Sequence, residues 1–346
     1  MARHLMMMAA LADGHSSLSI RELPIPAFGE YEALVKLRFG ATCAGTDLGI
    51  IKGRHPFPLA YPAVLGHESV GEILETGKKV RLLKAGDLVS RVGAPAAPGL
   101  GFGSAWGGFA QYGVAVDWQA MQADGVPRER WEKARVQKVI PPSIDAREAP
   151  MLITWRETLS YALRIGAAPR SRVLVVGSGA NALAFIAHFA YAGHVVIAVG
   201  NGERAADAMR LGAASALDYK AGDVAGRLEE ASGGRLDAIV DAVGASDEVN
   251  RALPLLAEEG VIGVYGWHDR AGYAINPFAA RRSFRLYCGG YDEPETHEEV
   301  LRRMASGALR ASDWYDVERP VPLARIASAY ERLERREVYK CLIDLS

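Results

Sequence analysis

The stretch that most constrains this chain is Val173-Leu-Val-Val-Gly177-Ser-Gly179-Ala-Asn-Ala182. An apolar run of strand length leads into G-x-G-x-x-A, and a helical pattern over residues 180–191 follows. In such a turn Gly177 permits the tight bend, Gly179 lets a pyrophosphate approach the backbone, and the small Ala182 lets the helix pack closely on the strand. The helix start offers free N–H groups and a positive dipole end to phosphates. Three small residues alone would describe any tight strand–helix turn. Here a strand precedes, a helix follows and a second apolar run arrives at 195–199, so the pattern points to dinucleotide binding.

At the end of that second run the sequence reads Ala198-Val199-Gly200-Asn201-Gly202-Glu203-Arg204. A carboxylate there would accept from the adenosine ribose 2′-OH and repel a 2′-phosphate. Gly200 and Asn201 remove that repulsion and Arg204 could reach a phosphate, which leans the reading towards NADP over NAD. The alternative is that Arg204 is a solvated charge in the first helical turn.

Around this motif, from the Pro141-Pro142 pair onward, strands and helices alternate. Runs at 172–176, 195–199, 238–241 and 261–265 read as strands; 180–191, 203–211 and 248–256 read as helices. Apolar strands alternating with helices imply a doubly wound parallel sheet covered on both faces, an α/β class. Before it, short β segments at 33–39, 69–74, 87–92 and 110–116 are cut by Gly and Pro and suggest a β-rich, barrel-like unit. Residues 118–137 are mixed polar and aromatic, the texture of a lid or insertion with partial helix. The tail reads as a helix over 323–333 and a strand over 339–344.

With 346 residues the chain has room for two domains. Forty basic residues against 41 acidic leave a net charge of −1, so there is no electrostatic footprint for nucleic acid or an anionic membrane. No apolar run approaches bilayer length. Residues 1–11 lack a small-residue cleavage site and read as a first strand rather than a signal peptide. Cys43, Cys288 and Cys341 are too few and too scattered for a disulfide framework, so the expectation is a reducing cytoplasm.

A second constellation lies in the β-rich half: Cys43-Ala-Gly-Thr46-Asp47, then Gly66-His67-Glu68. Thiolate, imidazole and carboxylate are zinc ligands, and a catalytic zinc takes three protein groups and leaves one position open. Such an ion is a Lewis acid for carbonyl or alcohol chemistry. Asp47 could orient the His67 ring. The competing reading is a buried cysteine with an incidental surface His–Glu pair.

Gly66-His67-Glu68-x-x-Gly71, Lys84-Ala-Gly86-Asp87-x-Val89, Trp106-Gly-Gly-Phe109-Ala and Gly177-x-Gly179, in this order and spacing, resemble the zinc-containing medium-chain dehydrogenase/reductase family of alcohol, polyol and threonine dehydrogenases. The resemblance covers nearly the whole chain. It implies a GroES-like catalytic domain of residues 1–150 completed by 291–346, and a Rossmann domain of residues 151–290 inserted between them, with the active site in the cleft. It also implies one catalytic zinc, NAD or NADP, and a small-molecule alcohol and ketone as substrates. Thr158 matches a position that approaches the nicotinamide, and Gly244 one on the cofactor side of the Rossmann sheet. Trp106, Trp155, His55 and Phe57 are candidate pocket walls, and His268 follows a strand that lines the cofactor. Residues 284–290 resemble the strand that extends the sheet across a homodimer or homotetramer.

Four departures from the family pattern bear on the chemistry. Cys43 and Thr46 are separated by two residues where the family has one, so either the loop bulges or Ala44 holds the ligand position. Gly49 stands where a relay histidine is common, leaving Thr46, the cofactor ribose or water for proton movement. Residues 93–108 contain no cysteine, so no structural zinc is expected. The third ligand position aligns with Thr154, and Glu157 lies almost one helical turn on. Glu157 is thus an optional ligand, a substrate contact or a surface charge, with Glu68 completing the set beside Cys43 and His67.

The missing lobe and the Gly-His-Glu triplet favour the polyol, sugar or cyclitol branch. The rival readings are a zinc-free enone or quinone reductase of the same superfamily and a nucleotide-binding protein without chemistry.

Overall fold

The computed structural model describes residues 5–346. Two compact units emerge: Thr154–Thr296 forms one, and Met1–Ile153 with His297–Ser346 forms the other. The boundary falls inside the helix Met151–Arg164. No helix among the described residues is long and apolar enough to cross a membrane.

The continuous unit is built on a six-stranded sheet in the order Ser215–Asp218, Val195–Gly200, Arg172–Val176, Leu236–Asp241, Leu256–Val264, Phe284–Tyr287. All five neighbouring pairs are parallel. The chain starts in the middle, steps outward one way, and returns to step outward the other way, which is the doubly wound Rossmann order. Leu174, Val176, Ile197, Val199, Ile239 and Ile262 sit in its core, as apolar runs covered on both faces require.

The expected strands and helices are present with shifted ends. The helix read over 203–211 is a 3-10 turn, Gly202–Arg204, followed by the helix Ala205–Arg210. The helix read over 248–256 spans Ser246–Ala252, because Pro254 carries no N–H to continue it. The strand read over 261–265 spans Leu256–Val264, since Glu258 and Glu259 face solvent and break the apolar run. The strand Ser215–Asp218 and the helix Val224–Ser232 have no counterpart in the sequence reading. Only Leu217 of that strand is buried, so it leaves no apolar signature.

The discontinuous unit holds two sheets. A seven-stranded one runs Val321–Pro322, Leu342–Asp344, Glu32–Ala41, Glu68–Thr76, Leu88–Ser90, Val139–Ile140, with Tyr112–Val116 also paired to Glu32–Ala41. A four-stranded one runs Leu18–Pro24, Met6–Ala12, Ala63–Val64, Gly103–Ser104. This is the GroES-like β-rich architecture expected. Met6–Ala12 is the anticipated first strand, and residues 1–4 of that expectation lie outside the described residues.

Along Glu32–Ala41 the fully buried Ala33, Val35 and Leu37 alternate with partly exposed neighbours, the two-residue period of a half-buried strand. The tail strand Leu342–Asp344 pairs antiparallel with it, and Ile326, Tyr330 and Ile343 from the tail share a core with Val35, Leu37 and Ile73. Residues 118–137 contain the helix Trp118–Ala123, whose start is capped by the Asp117 carboxylate accepting from the Ala120 N–H at 2.9 Å, then two 3-10 turns. Trp118 stacks on Trp131 across that segment.

Candidate functional site

Cys43 lies just past the strand Glu32–Ala41, in the turn that leads into the short helix Thr46–Ile51. The Asp47 carboxylate closes this turn by accepting from the Cys43 N–H at 2.8 Å, while the Asp47 N–H donates to the Cys43 carbonyl at 2.9 Å. Gly45, just ahead of Thr46, sits in helical conformation, and it is the Cys43 sulfur that lies near His67 and Glu68. Thr46 is the first residue of the helix.

His67 enters through Gly66, whose φ of +102° suits glycine and whose Cβ, if present, would lie 2.5 Å from the Phe109 nitrogen. Its Nδ1 is 3.2 Å from Asp47 Oδ1, an arrangement that directs Nε2 outward. Asp47 also accepts from the Tyr330 hydroxyl at 3.0 Å. Glu68 opens the next strand and receives Lys340 Nζ on both oxygens at 2.6 and 2.7 Å, with the same ammonium donating to the Thr42 carbonyl at 3.2 Å. Both side chains are buried.

The electrostatics follow from this packing. Burial alone would raise the Glu68 carboxyl, but Lys340 and then His67 bring it down to about 2. Burial would lower Lys340, and Glu68 foremost holds it above its usual value instead. Burial likewise works against the charged His67 ring, yet the hydrogen bonds to Asp47, Cys43 and Glu68 lift it well above the ordinary imidazole value. The ligand atoms of Cys43, His67 and Glu68 all lie within 4.8 Å of one another. Sulfur, imidazole nitrogen and carboxylate oxygen at that spacing fit one zinc ion with an open position. No second group of three such side chains occurs among the described residues.

An aromatic wall adjoins the set. The Trp106 ring centroid is 5.4 Å from that of His67 and 5.9 Å from that of His55, and His55 in turn lies 5.4 Å from Phe57. Trp106 is 43% exposed and has a φ of +66°, a left-handed conformation that a bulky residue rarely adopts. Trp155, by contrast, is fully buried and serves packing. Lys340, Tyr330 and Arg91 escaped the sequence reading. Arg91 Nη1 donates to the His67 carbonyl at 2.9 Å, and its guanidinium stands 5.8 Å from the Trp106 centroid. A lysine flanked by Tyr339 and Cys341 in a tail read as strand was the one available hint of a buried charge.

In the Rossmann unit, Gly177 has a φ of +126°, and a Cβ there would stand 3.0 Å from Val243 and 3.3 Å from the Ala182 methyl. Gly179 is the N-cap of the helix Ala180–Tyr191 and offers no side-chain cap, leaving the helix N–H groups for an anion. The Gly244 N–H donates to Asp241 Oδ1 at 2.8 Å, which fixes the loop at the end of the neighbouring strand. A side chain at Gly200 would meet the Ser178 Cβ at 2.7 Å, which explains why no acid stands there. The Asn201 N–H donates to Ser178 Oγ at 3.2 Å, and Arg204 Nη1 donates to the Ser178 carbonyl at 3.1 Å, so both lie against the glycine turn.

Thr158 is buried on the helix Met151–Arg164; its hydroxyl donates to the Thr154 carbonyl at 2.7 Å and lies 3.1 Å from His188 Nε2. Glu157 is buried rather than a surface charge, and the Tyr265 hydroxyl approaches its Oε2 at 3.5 Å. His268 is exposed, its N–H donating to the Val243 carbonyl.

Comparison with known proteins agrees with this geometry. Residues 29–125 match the family described as alcohol dehydrogenase GroES-like domain, and residues 175–306 match zinc-binding dehydrogenase. The chain is 30% identical over 334 residues to L-galactonate-5-dehydrogenase of Escherichia coli K12, covering 93% of this chain and 94% of that protein. It is 24% identical over 314 residues to sorbitol dehydrogenase of Bacillus subtilis 168, covering 88% and 87%. Among solved structures, a short chain alcohol dehydrogenase from E. coli CFT073 complexed with NADH shares the fold at a TM-score of 0.80 and 20% identity, covering 98% of this chain and 99% of that one. The chain therefore belongs to the zinc-type medium-chain dehydrogenase/reductase family, in its polyol and sugar dehydrogenase branch, a family of NAD(P)-dependent oxidoreductases acting on CH–OH groups.

Proposed function

We propose that this protein interconverts a secondary alcohol of a polyol, sugar or cyclitol and the corresponding ketone, using one zinc ion held by Cys43, His67 and Glu68. The buried Cys–His–Glu set with ligand atoms within 4.8 Å of one another is the observation that carries this reading. Zinc, when bound, supplies a Lewis acid for the substrate oxygen, and NAD(P) supplies the redox partner. Asp47 holds the Nδ1 side of His67 so that Nε2 faces the metal position. Lys340 keeps Glu68 ionised and fixed. Thr46 stands ready to carry the substrate proton, in the absence of a histidine at position 49. Glu157 orients a substrate hydroxyl or adds a ligand, with Tyr265 steadying its carboxylate. Residues 1–150 with 291–346 are assigned catalysis, and residues 151–290 dinucleotide binding through Gly177, Gly179, Ala182, Asn201, Arg204, Gly244 and Thr158.

The named substrates of the two relatives, L-galactonate and sorbitol, support a polyhydroxylated chain. Absence of an acid at Gly200 and the placement of Arg204 on the glycine turn support NADP. Three free cysteines, with Cys43 among them as the residue that would hold zinc, support a reducing, cytoplasmic setting. The edge strand Phe284–Tyr287 supports a homodimer or a homotetramer.

The test joins elemental analysis to a turnover screen of polyols with NAD and NADP. About one zinc per chain and turnover of a secondary alcohol are expected. Active protein without zinc would return the reading to an enone or quinone reductase. Failure to exchange hydride with labelled cofactor would leave a nucleotide-binding protein without chemistry.

A further inference from the structure

We infer that the Tyr330 hydroxyl is a positioning group for the metal site: by pinning the Asp47 carboxylate it holds Cys43 and His67 in place and slows the loss of zinc. The inference rests on the zinc-dehydrogenase reading above and adds to it a residue from the chain's tail.

The loop that carries Cys43 is the first ground. Between Cys43 and Thr46 stand Ala44 and Gly45, both exposed, and a side chain at Gly45 would meet nothing within 4 Å. The helix that follows, Thr46–Ile51, has six residues and no side-chain cap at Gly45. Packing on that side of the loop does not fix it, and hydrogen bonds take its place. The Cys43 N–H donates to Asp47 Oδ2 at 2.8 Å, and the Asp47 N–H donates back to the Cys43 carbonyl at 2.9 Å. Whatever fixes Asp47 therefore also fixes Cys43.

The way Asp47 is held is the second ground. Its side chain is fully buried, and three groups share its two oxygens. Oδ1 lies 3.2 Å from His67 Nδ1, while Oδ2 accepts from the Cys43 N–H and, at 3.0 Å, from the Tyr330 hydroxyl. Two of these partners belong to the ligand residues themselves. The third comes from the helix Ile326–Glu334, whose Ile326, Ala329 and Leu333 pack into the core with Leu37 and Ile50. Burial foremost, and then Asp47, raises the Tyr330 hydroxyl well above its ordinary value, so it keeps its proton and stays a donor. A hydroxyl given to a buried carboxylate is a charge-assisted bond. It ties one carboxylate, and through it two metal ligands, to the tail. Outer groups that orient ligands in this way are worth about ten- to a hundredfold in metal affinity.

Transfer of zinc from the loaded protein to a chromogenic chelator tests the inference. Tyr330→Phe removes the hydroxyl and keeps the ring in the core; its zinc affinity is expected to fall by about ten- to a hundredfold, with faster release. Tyr61→Phe is the matched control. The Tyr61 hydroxyl donates to the Ile50 carbonyl at 2.9 Å, so this variant takes a hydrogen bond from the same short helix without touching Asp47. It should hold zinc as the wild type does. Cobalt(II) loaded in place of zinc reports the ligand arrangement: its visible absorption, including the thiolate band, should shift in Tyr330→Phe and stay put in Tyr61→Phe. In an Asp47→Asn background Tyr330→Phe should weaken zinc little further, because the hydroxyl acts through that carboxylate.

Unchanged zinc affinity in Tyr330→Phe, or equal losses in the two tyrosine variants, would overturn the inference and leave Tyr330 a packing residue. Full additivity with Asp47→Asn would overturn it as well. A wild type that holds zinc without turning over an alcohol removes the dehydrogenase reading alone, and one that holds no zinc overturns both.

Discussion

Lys340 is the residue whose loss should be felt most widely. Removing its ammonium strands a buried Glu68 carboxylate, a defect that typically costs about 3–5 kcal/mol. Lys340→Met is therefore expected to lower the unfolding midpoint of the unit containing it, measured by urea titration with an intrinsic fluorescence readout. Adding Glu68→Gln should recover part of the loss, because the uncompensated charge is gone; no recovery would show that Lys340 matters through packing of its stem. The residue also shows where reading from sequence stops. Cys43, Asp47, His67 and Glu68 were legible because their chemistry announces itself over a short stretch. Lys340 binds a partner 272 positions away and Tyr330 one 283 positions away, so nothing local in the sequence marks either. Arg91 was missed for another reason: its importance lies in a backbone conformation that its residue type does not suggest.

Among the elements, the glycine turn and the strand after it carry the proposed choice between NADP and NAD. Arg204 is tied to the Ser178 carbonyl, and no side chain fits at Gly200 without displacing Ser178. Arg204→Ala should weaken NADP binding about tenfold or more relative to NAD, since only NADP brings a phosphate for the guanidinium. Equal weakening by isothermal titration with both cofactors would mark Arg204 as a support for the turn alone. The buried central strands were readable because each is a continuous apolar run. Ser215–Asp218, at the sheet edge with one buried residue, carried no such pattern. Helix ends shifted where a proline or a 3-10 turn intervened, as at Pro254 and Gly202–Arg204.

For the molecule as a whole, the opposite sheet edge matters. Phe284–Tyr287 exposes Leu286 at 52%, and pairing of this edge with a second copy would cover it. Leu286→Lys is expected to reduce the mass seen by light scattering to that of a monomer; an unchanged mass would place any interface elsewhere. The order of the two units along the chain has a further consequence during synthesis. Thr154–Thr296 is continuous, so once it has left the ribosome it has every strand of its sheet and can fold. The other unit must wait, because Leu342–Asp344 fills a place inside its larger sheet and Lys340 neutralises Glu68. Until those late residues emerge, Cys43, His67 and Glu68 belong to an unfinished scaffold, and a nascent chain that captured zinc early would do so without the cation that restrains Glu68.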